Sequence, residues 1–179
     1  MKQTIATAAA VSSRLIQLSD DVRAACPDPA RLVLIGIQRR GVELAQRMAA
    51  LIAAAHAAPV PLGSLDITFY RDDLSMVAQQ PIVHSTNIPF SLDGMHVVLV
   101  DDVLHTGRTI RAALDALMDF GRPDIVRLLV LVDRGMRELP IQPDLTGWKL
   151  STKAGQMVRV RVKELDGEDV VELLDGNAN

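Results

Sequence analysis

Asp101 and Asp102 are adjacent carboxylates that end the apolar run Val97–Val100, and a short way on the chain reads Thr106-Gly107-Arg108-Thr109. Paired carboxylates accept hydrogen bonds from a diol or hold a hydrated divalent cation. A turn of small residues that opens a helix gathers backbone N–H groups on an anion, helped by the positive end of the helix dipole. Gly107 permits close backbone approach, while the Thr106 and Thr109 hydroxyls and the Arg108 guanidinium add donors. Side by side, the two halves suit a sugar phosphate. A buried strand with an Asx-capped helix would account for the apolar run and Thr109. It would leave the paired acids and the Thr-Gly-Arg-Thr turn without a reason.

Two further groups carry chemistry. Gln38-Arg39-Arg40-Gly41 follows the apolar segment Arg31–Ile37 and offers several N–H donors to a polyanion, although a solvated basic turn would look the same in isolation. Arg71 stands in Leu65–Leu74, at the start of a polar irregular stretch from Arg71 to Met95 that reads as a flexible loop. Arg71 could swing over a bound anion and exclude water, or Arg71, Asp72 and Asp73 could pair as ordinary loop charges. Cys26 is alone, which excludes an internal disulfide and a cysteine-based zinc site. His56, His84, His96 and His105 have no ligand spacing, so none is assigned to a metal.

The elements that must position these residues alternate in type. The Ala-rich start, Ile5–Val11, reads as the beginning of a helix that continues to Ala25 and stops at Pro27 and Pro29. Arg31–Ile37, Val97–Val100 and Val126–Val132 read as buried strands. Val42–Ala57 and Thr109–Phe120 read as helices, Leu65–Tyr70 as a strand with one exposed face, and Asp133–Lys153 as a loop. Met157–Val162 and Val170–Leu174 read as the last strands. This pattern predicts an α/β fold with a mainly parallel sheet flanked by helices. In such sheets ligands gather at the carboxyl ends of the strands, which brings Gln38–Gly41, Asp101–Thr109 and Asp133–Arg134 to one rim.

A chain of 179 residues can bury a full core, and its 49% hydrophobic but 3% aromatic content predicts a core of Val, Leu, Ile and Ala. The formal charge of −3 provides no general basic field for nucleic acid. No apolar run approaches the roughly 18 to 20 residues that span a bilayer, and the protein is expected to be cytoplasmic. No internal repeat or second domain interrupts residues 1–179, which read as one domain.

The run from Val97 to Thr109 resembles the phosphoribosyl-pyrophosphate (PRPP) motif of type I phosphoribosyltransferases. Leu65–Leu74, Gly121-Arg122-Pro123 and Leu131–Ile141, with its Val-Asp-Arg-Gly-Met-Arg-Glu-Leu-Pro-Ile stretch, narrow the resemblance to the PyrR family. Its members are bifunctional pyrimidine-operon regulators and uracil phosphoribosyltransferases. The resemblance extends from about Arg31 to Leu174 and implies a single phosphoribosyltransferase domain with a small hood from the C-terminal strands. It implies that uracil and PRPP give UMP and pyrophosphate with Mg²⁺. Asp101 and Asp102 would contact the ribose hydroxyls, directly or through metal, and His105 to Thr109 would hold the 5′-phosphate. Gln38, Arg39, Arg40, Gly41 and Arg71 would bind pyrophosphate, and Arg134 and Val158 would border the base and nucleotide pocket. A homodimer or larger homo-oligomer is implied as well.

The alternative is an attenuator that binds pyrimidine-operon leader RNA with little or no catalysis. Arg14 and Arg137 match the basic pattern of the family's RNA-binding face. Gln142 replaces a usual arginine, and Trp148 stands near an expected lysine. Each lost phosphate contact weakens binding and flattens its salt dependence. Trp148 reads more simply as a cap on the core or a subunit contact than as a base-stacking residue. Transfer to a purine or to orotate would keep the chemistry and change only the base pocket, and the Leu131–Ile141 stretch disfavours it.

Overall fold

Six consecutive buried residues, Leu32–Ile37, form strand β2, the pattern of a strand covered on both faces. The computed structural model describes residues 2–68 and 86–175. In it β2 pairs in parallel with β3 (Leu62–Leu65) on one side and β4 (His96–Leu104) on the other. Beyond β4 lie β5 (Ile125–Asp133) and β6 (Leu145–Lys149), completing a parallel sheet of order β3-β2-β4-β5-β6. Alternation along the strands divides the core in two. Leu32, Leu34, Val98, Val100, Leu129 and Leu131 pack under α1 (Ala8–Ala25) and α2 (Arg40–His56). Val33, Ile35, Val97, Leu99 and Val130 pack under α3 (Arg108–Leu117). The mainly parallel sheet between helices is therefore as expected from the sequence.

A second, antiparallel sheet of order β1-β8-β7 is built from β1 (Lys2–Ala6), β7 (Gln156–Arg161) and β8 (Val170–Asp175). The short helix α4 (Lys163–Asp166) joins β7 to β8. Val158, Val160 and Val171 carry this hood onto the α1 and α2 side of the core.

Three expectations need correction. Ile5 and Ala6 belong to a strand, and the first helix starts at Ala8, because residues 2–6 pair with β8 from the far end of the chain. The hood thus takes residues 2–6 as well as the strands at 156–161 and 170–175. Of the strand expected at Leu65–Tyr70, Leu65 ends β3 (Leu62–Leu65), Asp66 turns the chain by accepting the N–H of Thr68 at 2.8 Å, and Phe69 and Tyr70 lie outside the described residues. The stretch read as a loop, Asp133–Lys153, contains β6, an edge strand whose Gly147 lies against β5 and whose apolar residues do not alternate. Arg71 and most of its loop lie outside the described residues.

Candidate functional site

The carboxyl ends of β2 and β4, with the chain leaving β3, enclose a cleft of about 380 Å³ lined in part by Gln38, Arg39, Asp66, Asp101, Asp102 and Thr109. Gln38 donates its N–H to Leu65 O at 2.9 Å, which ties the turn after β2 to the chain after β3. The Gln38–Arg39 peptide is cis. Gly41 lets α2 begin directly on β4, for a Cβ there would stand 2.4 Å from Val100 O and 3.2 Å from Asp101 Cα. Only a residue without a side chain permits that approach.

Successive residues of a strand leave it on opposite faces, so the adjacent acids differ. Asp101 continues the row that faces α3 and is 6% exposed, while Asp102 continues the row that faces α2 and is half-buried. Asp102 N–H donates to Asp101 Oδ1, and Val103 N–H to Asp102 Oδ1, each at 2.9 Å. Burial raises the pKa of Asp101 well above the ordinary carboxylate range, and the Asp102 charge adds to it. Burial also raises that of Asp102, opposed by its contact with Asp101 and by the Arg40 charge. Two adjacent carboxylates, made costly to ionise, open onto a polar cleft. That is where a cation would be welcome. The pair suits Mg²⁺, which commonly binds one or two protein carboxylates and keeps water or phosphate oxygens for the rest. Among the described residues no group of three or more acidic, histidine or cysteine side chains forms a fuller cage.

The turn after β4 is shaped from behind. Thr106 O accepts from the N–H groups of Glu138 and Leu139 at 2.9 and 3.1 Å, and His105 O accepts from Arg137 Nη1 at 2.9 Å. A peptide is planar and trans, so the N–H groups of Thr106 and Gly107 point away from that support. Gly107 has φ +94° and is the N-cap of α3, a residue with no side chain to cap the helix. The result is an open helix start with its carbonyls already engaged, an arrangement that favours an anion. Arg108 N–H reaches Thr106 Oγ1 at 3.3 Å, and the Arg108 Nε pairs with Glu138 at 2.8 Å. His105 is half-buried, and burial holds its imidazole below the ordinary range, with the Arg134 charge acting the same way.

The remaining candidates are placed differently. Arg134 N–H donates to Leu104 O at 3.1 Å, which sets Arg134 beside the turn. Its guanidinium points to Thr152 Oγ1 at 3.3 Å and Gln156 O at 2.6 Å, toward the hood. Val158 is 8% exposed on β7 and packs in the core. Arg40 forks onto Asp166 of α4. Arg137 is an interior residue: it donates to the carbonyls of His105, Gly135 and Ile141 and pairs with Asp133 at 2.7 Å. Arg14 lies over the Trp148 ring, 5.3 Å from its centre, and Trp148 packs at the margin of the core.

Asp66, Ile67 and Thr68 line the cleft; they belong to the candidate segment Leu65–Leu74, in which the sequence assigns a role to Arg71 alone. The signal was there: Asp-x-Thr after an apolar strand is a turn that closes on its own backbone. Asp66 Oδ1 indeed accepts both the N–H and the hydroxyl of Thr68, at 2.8 and 2.5 Å. Among the described residues no helix is long and apolar enough to cross a membrane.

Comparison with known proteins agrees with this geometry. The phosphoribosyl transferase domain family matches residues 3–164. The Bifunctional protein PyrR of Pelotomaculum thermopropionicum is 56% identical over 144 residues, 80% of either chain. That of Deinococcus deserti is 50% identical over 174 residues, 97% of this chain and 95% of the other. In three dimensions the chain is similar to the hypoxanthine phosphoribosyltransferase of Trypanosoma cruzi, with TM-score 0.71 and 15% identity over 98% of this chain and 97% of that one. The Staphylococcus aureus hypoxanthine phosphoribosyltransferase gives TM-score 0.69 and 16% identity over 94% and 90%. These likenesses identify the type I phosphoribosyltransferase fold, with the parallel sheet as its body and the antiparallel sheet as its hood.

Proposed function

Because the chain belongs to the PyrR family of the type I phosphoribosyltransferases, we propose that it transfers the phosphoribosyl group of PRPP to uracil, giving UMP and pyrophosphate. The observation that carries the reading is the shared cleft, where the paired acids, the open start of α3 and the Gln38–Arg39 turn meet. A uracil nitrogen gives up its proton to solvent and bonds to the anomeric carbon as the carbon–oxygen bond to pyrophosphate breaks. Positive charge develops on the ribose ring, and the Asp101 and Asp102 carboxylates favour it while accepting from the ribose hydroxyls. The N–H groups from His105 to Thr109 hold the 5′-phosphate and fix the ribose beneath the hood. Gln38, Arg39 and Gly41 receive the departing pyrophosphate, joined by Arg71. Arg134 and Val158 border the base. Asp101 and Asp102 would hold Mg²⁺, which supplies charge neutralisation for pyrophosphate when bound.

The test is pyrophosphate release from PRPP and Mg²⁺ with uracil, orotate, hypoxanthine or guanine in turn. Activity with uracil alone supports the reading, and inactivity with all four sinks it. Sedimentation of the active protein checks the homodimer or larger assembly that the family implies.

A second reading, regulation through a pyrimidine-operon leader RNA, is favoured by the relatives' name, which calls them bifunctional. Arg14 remains a candidate contact, and Arg137 acts on such a surface by shaping it from within. A gel-shift with leader RNA across a salt series tests this. Salt-dependent binding supports it, and binding no tighter than to an unrelated RNA removes it.

A further inference from the structure

Arg40 stands beside the cleft, yet its guanidinium is engaged elsewhere. Its Nε donates to Asp166 Oδ2 at 3.0 Å and its Nη2 to Asp166 Oδ1 at 2.9 Å. Asp166 belongs to α4, between the two C-terminal strands of the hood, and its Oδ2 also accepts the Val162 N–H at 2.9 Å. Arg47 lies on the same face of α2, about two turns along. It forks onto Glu164 at 2.8 and 2.5 Å and onto Asp169 at 2.9 and 2.8 Å. Asp169 in turn accepts the Lys163 N–H at 2.8 Å. One helix is therefore fastened to the hood at two points, and a planar fork fixes orientation as well as distance. The nearer fastening sits one residue from Arg39, which lines the cleft.

We propose that Arg40 is a positioning residue: the Arg40–Asp166 fork sets the Gln38–Arg39 turn against the hood, holding the pyrophosphate end of the site and the base end in register. This rests on the transferase reading above and reassigns one residue within it. A direct anion ligand turns the planar fork itself toward phosphate oxygens. Here both ends of the fork are matched to one carboxylate, which is itself anchored to backbone. Arg39 is the exposed member of the pair, left to face the cleft.

The experiment uses the full chain with Arg40→Met, Arg40→Lys, Asp166→Asn and the Arg40→Met/Asp166→Asn double substitution. Amide hydrogen exchange is measured over 37–42 and 162–169, and kcat and KM are measured for PRPP and uracil. Asp166→Asn is expected to speed exchange at 37–42 although Asp166 is absent from the cleft lining, and Arg40→Met to speed exchange at 162–169. Each single substitution is expected to lower kcat/KM by about 10- to 100-fold through misplacement of the reacting groups. The double should fall no further than the worse single, because both remove one link. Arg40→Lys, which keeps charge and loses the fork, should behave as Asp166→Asn does, and it carries the comparison if Asp166→Asn fails to fold.

The proposal is overturned if Arg40→Met raises the KM for PRPP while Asp166→Asn leaves both KM and exchange unchanged, for Arg40 would then touch the anion itself. Penalties that multiply in the double also overturn it, as does a wild-type-like Arg40→Lys. A wild type that turns over no base at all defeats the transferase reading instead, and the exchange measurement alone then decides whether the link exists.

Discussion

Burial, together with their mutual repulsion at Asp101, holds the Asp101 and Asp102 carboxyls above their ordinary range, so their charge is a cost to the folded chain. For a carboxyl raised by folding, ionisation is easier in the unfolded chain. Stability therefore falls as pH rises past the ordinary value toward the folded one, and stays lower above it. Asp101→Asn removes that cost and keeps an oxygen for the Asp102 N–H. In chelator-dialysed protein it should raise the melting temperature at pH 7, with the gain vanishing as pH approaches about 4. Asp102→Ala should stay folded and lose about 100- to 1,000-fold in kcat, the usual loss when one preorganised electrostatic contact is removed. Turnover near wild type in a folded Asp102→Ala protein would end the central role of that residue. Arg137 is a different case, since it holds the carbonyls of His105, Gly135 and Ile141 and pairs with Asp133. Arg137→Gln should raise the KM for PRPP by loosening His105 and Thr106, and circular dichroism should show the fold retained. If KM is unchanged while RNA binding is lost, Arg137 contacts RNA directly.

At the scale of elements, the site depends on helices starting where they do. Alanine ordinarily improves a helix relative to glycine by about 1 kcal/mol. At Gly41 the added carbon would press on the backbone of β4 at Val100 O, and β4 is central in its sheet. Gly41→Ala should therefore lower stability in urea by about 1–3 kcal/mol, as overpacking does. It should impair PRPP binding as well. A stabilised, fully active variant would show that α2 can shift without consequence. The same contrast between local and distant causes explains what the sequence disclosed. β2, β4, β5 and the turn after β4 were legible because continuous apolar runs and a small-residue turn state their structure locally. β1 was not, since Lys2–Ala6 becomes a strand only by pairing with residues 171–174. β6 was not, since its edge position spares it any alternation. The PRPP-binding candidates were readable as types, whereas Arg40 and Arg137 were read as free cations because their acceptors lie far along the chain or on the backbone. Asp66 was hidden by a strand placed a few residues too late.

Across the whole molecule, the hood and the body meet through charge as well as through the valines. Arg40 holds the Asp166 carboxyl below its ordinary range, and Arg47 does the same for Glu164 and Asp169, where burial opposes it at Asp169. Carboxyls lowered by folding give stability that is complete above the ordinary carboxylate range and is lost as pH falls through the folded values. Acid should therefore release the hood before it unfolds the parallel sheet. Hydrogen exchange followed from pH 7 to about 3 should show protection at 156–175 failing first, and Arg47→Met should bring that failure to higher pH. Simultaneous loss from both sheets would mean the fastenings carry no stability of their own. The sheet they secure also imposes an order on synthesis. Its first strand leaves the ribosome with no neighbour and waits, edges bare, until the residues near 170 emerge. The hood thus cannot close until those residues are made, and a chain cut short before Val170 would keep its parallel sheet while leaving residues 2–6 searching for a partner.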